Sequence, residues 1–142
     1  MINREQGKIR DAARNCFERE KSVLCAYLFG SFASGKENRT SDMDIAVLFD
    51  APTPRSEYSG RVLSMMDALS ASFDRDVDMV VLNDADSFLK FQVLKTGERI
   101  YERTDRRKRD FERMAVLEYF DYLPIRKKLE AAFIRGIKEA QS

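Results

Sequence analysis

The strongest constraint on the fold is a joint between two strand-length runs. Residues 22–29 (SVLCAYLF) form an apolar run that stops at Gly30-Ser31, and after ten intervening residues a second run, 42–49 (DMDIAVLF), begins. Runs this short suit strands better than helices, which need ten residues or more. A strand that ends on Gly-Ser and turns at once presents free backbone N–H groups, and these favour anions. Glycine lets a phosphate approach the backbone closely, and the Ser31 hydroxyl adds a donor. Residues 32–40 (FASGKENRT) read as a short helical turn followed by a polar loop, with Gly35 allowing a sharp bend.

The rest of the chain alternates strand and helix. Residues 3–20 read as a helix with Ile9, Ala13, Cys16 and Phe17 on one stripe. Two prolines in 51–55 (APTPR) break the pattern. Ser56 is placed to cap the next helix, where Tyr58, Val62, Met65, Met66, Leu69 and Phe73 recur at helical spacing. Residues 76–82 (DVDMVVL) read as a third strand. Asn83 or Asp84 then caps a helix running to about residue 95, with Gly97 expected as its left-handed C-terminal residue. Residues 98–103 (ERIYER) read as a short, charged strand at a sheet edge. Two helices follow, over about 105–122 and 125–140, divided at Leu123-Pro124; the second carries Ile125, Leu129, Ala132, Phe133 and Ile137 on one face. The expected fold is α/β (α+β): a mixed sheet flanked by helices, with residues 105–142 as a C-terminal helical arm of a single domain spanning 1–142.

Composition narrows the chemistry. The chain has no histidine. That excludes Ser-His-Asp and Cys-His nucleophile systems, histidine acid–base catalysis and the usual mixed zinc sites. Its two cysteines, Cys16 and Cys25, sit in apolar settings and read as buried free thiols, which suits a reducing, cytoplasmic setting. Lys+Arg 25 nearly balances Asp+Glu 24, so the overall charge gives no reason to expect direct nucleic-acid binding. No apolar run approaches the roughly 20 residues of a membrane-spanning helix. Carboxylates and hydroxyls are left to carry any catalysis.

The carboxylates are well placed for that. On a strand, Asp42 and Asp44 share a face, roughly 6.6 Å apart along the chain. At an effective dielectric of 20, two bare charges at that distance repel by about 2–3 kcal/mol. Divalent cations remove the repulsion and use both acids, and magnesium suits all-oxygen ligands while keeping waters and phosphates as its others. Met43, Ile45, Val47 and Phe49 take the opposite face and anchor the strand. A third acid comes from the third strand. Asp78 lies between Val77 and Met79, and Asp76 shares its face at the more solvated strand entry, so spacing alone does not choose between them.

The stretch GSFASGKENRTSDMDIAV (30–47) resembles the signature of the DNA polymerase beta-like nucleotidyltransferase superfamily: G-S, a spacer of about ten residues, then D-x-D, with a further acid on a later strand. The resemblance favours Asp78 over Asp76. The short chain, together with VLKTGERIYERTDRRKRDFE (93–112) and YFDYLPIRKKLE (119–130), is similar to the minimal nucleotidyltransferase (MNT) antitoxins. The resemblance implies an antitoxin that transfers AMP from ATP to a tyrosine hydroxyl of a HEPN ribonuclease toxin encoded beside it. It implies that Gly30 and Ser31 bind the nucleotide, that Asp42, Asp44 and Asp78 hold Mg2+, and that Asp78 also helps activate the hydroxyl. One position departs from the pattern: Ser34 stands where many such motifs carry arginine, removing a cation near the phosphates but no metal ligand. Two alternatives remain: a steric antitoxin with vestigial acids, and a transferase for a small molecule of aminoglycoside type, which so short a chain disfavours.

Two further clusters have plainer readings. Arg103, Arg106, Arg107, Lys108, Arg109 and Arg113, interleaved with Asp105, Asp110 and Glu112, read as a solvated helix face or as a contact surface for a partner. Tyr119, Phe120 and Tyr122 read as core or helix-end packing, with docking of a partner as the alternative.

Overall fold

The computed structural model describes residues 4–30, 43–103 and 106–141. Its elements are α1 (Arg4–Arg19), β1 (Val23–Phe29), β2 (Met43–Phe49), α2 (Tyr58–Phe73), β3 (Val77–Val81), α3 (Ser87–Thr96), β4 (Glu98–Glu102) and α4 (Arg106–Gln141). The expected 32–40 turn and loop, including Gly35, lie outside the described residues. The four strands form one mixed sheet in the order β3-β2-β1-β4. β1 is antiparallel to both β2 and β4, whereas β2 and β3 run parallel. β4 is an edge strand, as its charges suggest.

Each face of the sheet has its own core. Met43, Ile45, Val47 and Phe49 pack with Val23, Ala26 and Leu28 under α1 and α2, joined by Phe17 and Leu69. The other face carries Cys25, Tyr27, Ala46 and Leu48 against Val93 of α3 and Phe111 of α4. Fully burying a side chain such as Phe17 or Phe49 stabilises by roughly 1.5–3 kcal/mol relative to leaving it exposed. Because both faces are covered, β1 reads as a continuous apolar run, and the room for chemistry lies at the strand ends.

Several helix boundaries differ from the expected ones. Ser56 lies inside a 3-10 turn (Arg55–Glu57), and α2 begins after Glu57 with no side-chain cap. The helix α3 is capped by Asp86, whose carboxylate accepts from the Leu89 N–H at 2.8 Å. Asn83 instead clamps β2: its Nδ2 donates to the Phe49 carbonyl at 3.0 Å and its Oδ1 accepts from the Phe49 N–H at 2.9 Å. Gly97 is extended (φ −75°, ψ 160°), not left-handed. A side chain there would overlap the Val93 carbonyl oxygen and crowd Leu28, so the glycine serves a close approach.

The largest difference is α4, one helix of 36 residues with Pro124 inside it. Proline cannot donate to the carbonyl four residues back, a cost of about 3 kcal/mol or more in a helix interior. However, its fixed φ is helical, and the residues after it (RKKLEAA, after Ile125) are mostly strong helix formers, so the second half restarts at once.

The basic cluster also divides. Lys108 is buried, with Nζ 3.0 Å from Glu102 and 3.2 Å from Glu112. Tyr27 donates to the same Glu112 oxygen at 2.7 Å, and Arg107 pairs with Asp50. Burial pushes the Tyr27 phenol up, so it stays a neutral donor. This network ties the first turns of α4 to β1 and β4. Further along, Tyr119 stacks on Phe91 of α3 at 3.8 Å, the packing role expected of it, while Phe120 is exposed.

Candidate active site

The site forms where β1 ends beside the starts of β2 and β3. Phe29 pairs with Asp44 across the antiparallel ladder, which brings Gly30 over the Asp44 carboxylate. Gly30 has φ 76°, a conformation L side chains rarely adopt. A Cβ at this position would overlap Oδ2 of Asp44 and sit 3.2 Å from its Cγ. Glycine is therefore required twice, by the backbone and by the carboxylate beneath it. The abrupt end of β1 at a glycine has this structural cause.

The parallel register pairs Asp44 with Asp78, one step after Met43 with Val77. Paired residues on adjacent strands point to the same face, about 4.8 Å apart. Asp78 is exposed and Asp44 half-buried. Asp76 precedes β3, and its carbonyl accepts the Met43 N–H at 2.9 Å, closing the start of the parallel pair. The two acids that spacing left equivalent thus occupy different places: Asp78 lies beside Asp44 in the ladder, and Asp76 lies at its mouth.

At about 4.8 Å and an effective dielectric of 20, two ionised carboxylates would repel by roughly 3.5 kcal/mol. The opposite faces of both strands, Met43 and Ile45 on β2 and Val77 on β3, are buried in the core and hold the pair in register. Of the sequence-derived site residues, Gly30, Asp44 and Asp78 are brought together. Ser31 and Asp42 lie outside the described residues. Among the described residues no group of three or more metal-ligating side chains is gathered. Two acids of an oxygen-only donor set are in place, a set whose chemistry suits magnesium.

The two thiols lie elsewhere. Cys25 is buried in the sheet, and burial pushes its thiol up to about 12. Cys16 is only partly buried, less than its apolar surroundings in sequence suggest; burial raises it too. Neither is a nucleophile poised for catalysis. Among the described residues, no helix is long and apolar enough to cross a membrane.

Comparison with known proteins gives three kinds of similarity. Residues 12–106 match the family model described as polymerase beta, nucleotidyltransferase. A curated relative, protein adenylyltransferase MntA of Shewanella oneidensis, is 37% identical over 75 residues, covering 53% of this chain and 51% of the relative. The chain thus spans about half the length of the curated relative it matches. Among solved structures, a toxin–antitoxin with AMP-PNP is 25% identical at TM-score 0.69, covering 90% of this chain and 98% of that one. A mutant MntA–HpeT toxin–antitoxin structure is 21% identical at TM-score 0.73, with 88% and 98% covered. An MNT antitoxin in complex with the tri-AMPylated Shewanella oneidensis HEPN toxin is 22% identical at TM-score 0.64, with 88% and 98% covered, and likewise shares the fold.

Proposed function

Because this chain belongs to the polymerase beta nucleotidyltransferase family, we propose that it is an antitoxin that transfers AMP from ATP to a tyrosine hydroxyl of a HEPN toxin, and so neutralises it. The observation that carries the reading is the pairing of Asp44, which lies directly beneath Gly30, with Asp78 on the next strand. Nucleotidyl transfer needs carboxylates that can hold a divalent cation next to a close backbone approach for the phosphates, and these three residues can supply both.

In this reading the triphosphate lies along Gly30 and Ser31, with the Gly30 turn giving the phosphates access to backbone N–H groups. Asp42, Asp44 and Asp78 hold magnesium, which, when bound, supplies positive charge to the triphosphate in the transition state. Asp78, the more exposed acid, accepts a hydrogen bond from the incoming tyrosine hydroxyl and helps remove its proton. The hydroxyl oxygen attacks the α-phosphorus in line, a new P–O bond forms, and the bond to the bridging oxygen breaks to release pyrophosphate. The β2–β3 register fixes Asp44 beside Asp78, so much of the rate comes from positioning. Two unpaired cysteines support a reducing, cytoplasmic setting.

The test is to incubate the purified chain with α-labelled ATP, magnesium and the protein of the adjoining reading frame. Label on a tyrosine of that protein, lost in Asp44→Asn and Asp78→Asn, is the expected result. No label from the wild-type chain contradicts it. The steric reading has one observation in its favour, the long exposed apolar arm of α4. It predicts neutralisation without label.

A further inference from the structure

The face of α4 that packs on the domain in its first half continues, uncovered, through its second half. Lys108 and Ala115 are buried, and Phe111, Tyr119 and Tyr122 are partly buried, on the side facing α3 and the sheet. At the helical repeat, Ile125, Leu129, Phe133 and Ile137 extend the same side. There, however, α3 has run out. Arg126 over the Phe88 ring, 4.7 Å from its centroid, marks where the packing ends. Every residue from 127 to 140 is exposed, Phe133 by 70%. At 1.5 Å per residue, residues 125–141 make an arm about 25 Å long.

Such an arm is a poor free-standing structure. A helix of this length is marginal in water on its own, and a contiguous apolar stripe on a surface marks an interaction site. Its charge selects among occupants. Between residues 125 and 141 there are five lysines and arginines against two glutamates. A second copy would bring an equally cationic arm alongside, and the two would repel. A partner whose apolar stripe is edged by carboxylates would be attracted instead.

We propose that the second half of α4 is the docking arm for the HEPN partner, received by an apolar, acid-edged surface on that chain. The inference rests on the proposed antitoxin reading for the partner's identity, but not on the transfer chemistry. The arm leaves the domain near the first turns of α3, whereas the carboxylates lie at the opposite end of the sheet, where β2 and β3 begin. Docking and catalysis are therefore separable by mutation.

The experiment is titration calorimetry of the full chain with the HEPN protein encoded beside it, comparing wild type with Leu129→Gln/Phe133→Gln. Glutamine keeps helix propensity close to that of leucine, and neither side chain touches the domain core, so the thermal unfolding midpoint should not move. The expected result is a loss of affinity of about a hundredfold or more, the scale of removing two central apolar anchors. A second variant, Lys127→Glu/Lys128→Glu, should slow association and weaken its salt dependence. Unchanged affinity in the glutamine variant overturns the proposal. So does failure of the wild-type chain to bind, or a homodimer that the glutamine variant dissociates. Label transfer from ATP is scored separately, so a chain that binds through its arm but transfers nothing upholds the docking and refutes the chemistry.

Discussion

Replacing Gly30 by alanine tests the site through one added methyl group. The backbone at φ 76° is open to glycine, and holding an L-residue there costs roughly 1–2 kcal/mol. The new Cβ overlaps Oδ2 of Asp44, which must rotate away at about 1 kcal/mol for an off-rotamer side chain. The sum is about 2–3 kcal/mol, and at about 3–4 °C per kcal/mol for a domain of this size the melting midpoint should fall by about 6–12 °C. Activity should suffer more than stability. The displaced carboxylate moves on the order of 1 Å, and a misplacement of that size costs about a hundredfold in rate. The assay is label transfer from ATP, run well below the variant's melting midpoint. Gly60→Ala is the control. Nothing lies within 4 Å of the Cβ it would add, and since Gly60 sits in the first turn of α2, the change should leave stability unchanged or slightly raised. A Gly30→Ala chain that transfers AMP at the wild-type rate would refute the claim that the Gly30–Asp44 approach sets the site.

Other expectations follow from the network around Lys108 and from the thiols. Lys108→Ala removes the buried one of the two cations that Glu102 and Glu112 share and leaves them Arg99; since both acids are partly exposed and keep that partner, the loss in urea-unfolding free energy should be about 1–3 kcal/mol rather than the full cost of a buried pair. Glu102 is held below the ordinary carboxylate range by the Arg99 hydrogen bond first and by Lys108 second. A lowered folded-state pKa means its contribution is present above the unfolded value near about 4.3 and lost as pH falls through the folded one. Glu102→Gln should therefore flatten the decline of the urea midpoint in that acid range and leave its pH dependence near neutrality unchanged. Cys25, with its thiol pushed up to about 12, should resist a disulfide reagent at neutral pH until the protein unfolds, while the less buried Cys16 reacts first.

The strands were legible because their apolar runs are short and bounded, and the alternation in 42–49 correctly assigned Met43, Ile45, Val47 and Phe49 to the core face. The opposite face was less legible. Ala46 and Leu48 are covered by α3 and α4, which no local pattern announces. Asp76 and Asp78 share one strand period, and only the register of β2 against β3 separates them; register is a property of two strands together. Lys108 looks solvated in a run of alternating charge because its partner Glu102 lies on another element. Pro124 was expected to divide two helices, but helix propensity on both sides outweighed one missing hydrogen bond. The candidate site residues could be nominated from residue type and spacing with the help of a family likeness, whereas the pairing that brings two of them together needed the tertiary structure.

The central claim is that neutralisation runs through AMP transfer at the aspartates. It is tested most directly by co-expressing the HEPN protein with the wild-type chain or with Asp44→Asn/Asp78→Asn, then recording the intact mass of that protein and cell growth together. The account predicts one or more AMP additions and normal growth with the wild-type chain, and an unmodified mass with growth arrest when the carboxylates are gone. Normal growth with an unmodified HEPN protein in the double variant would contradict it.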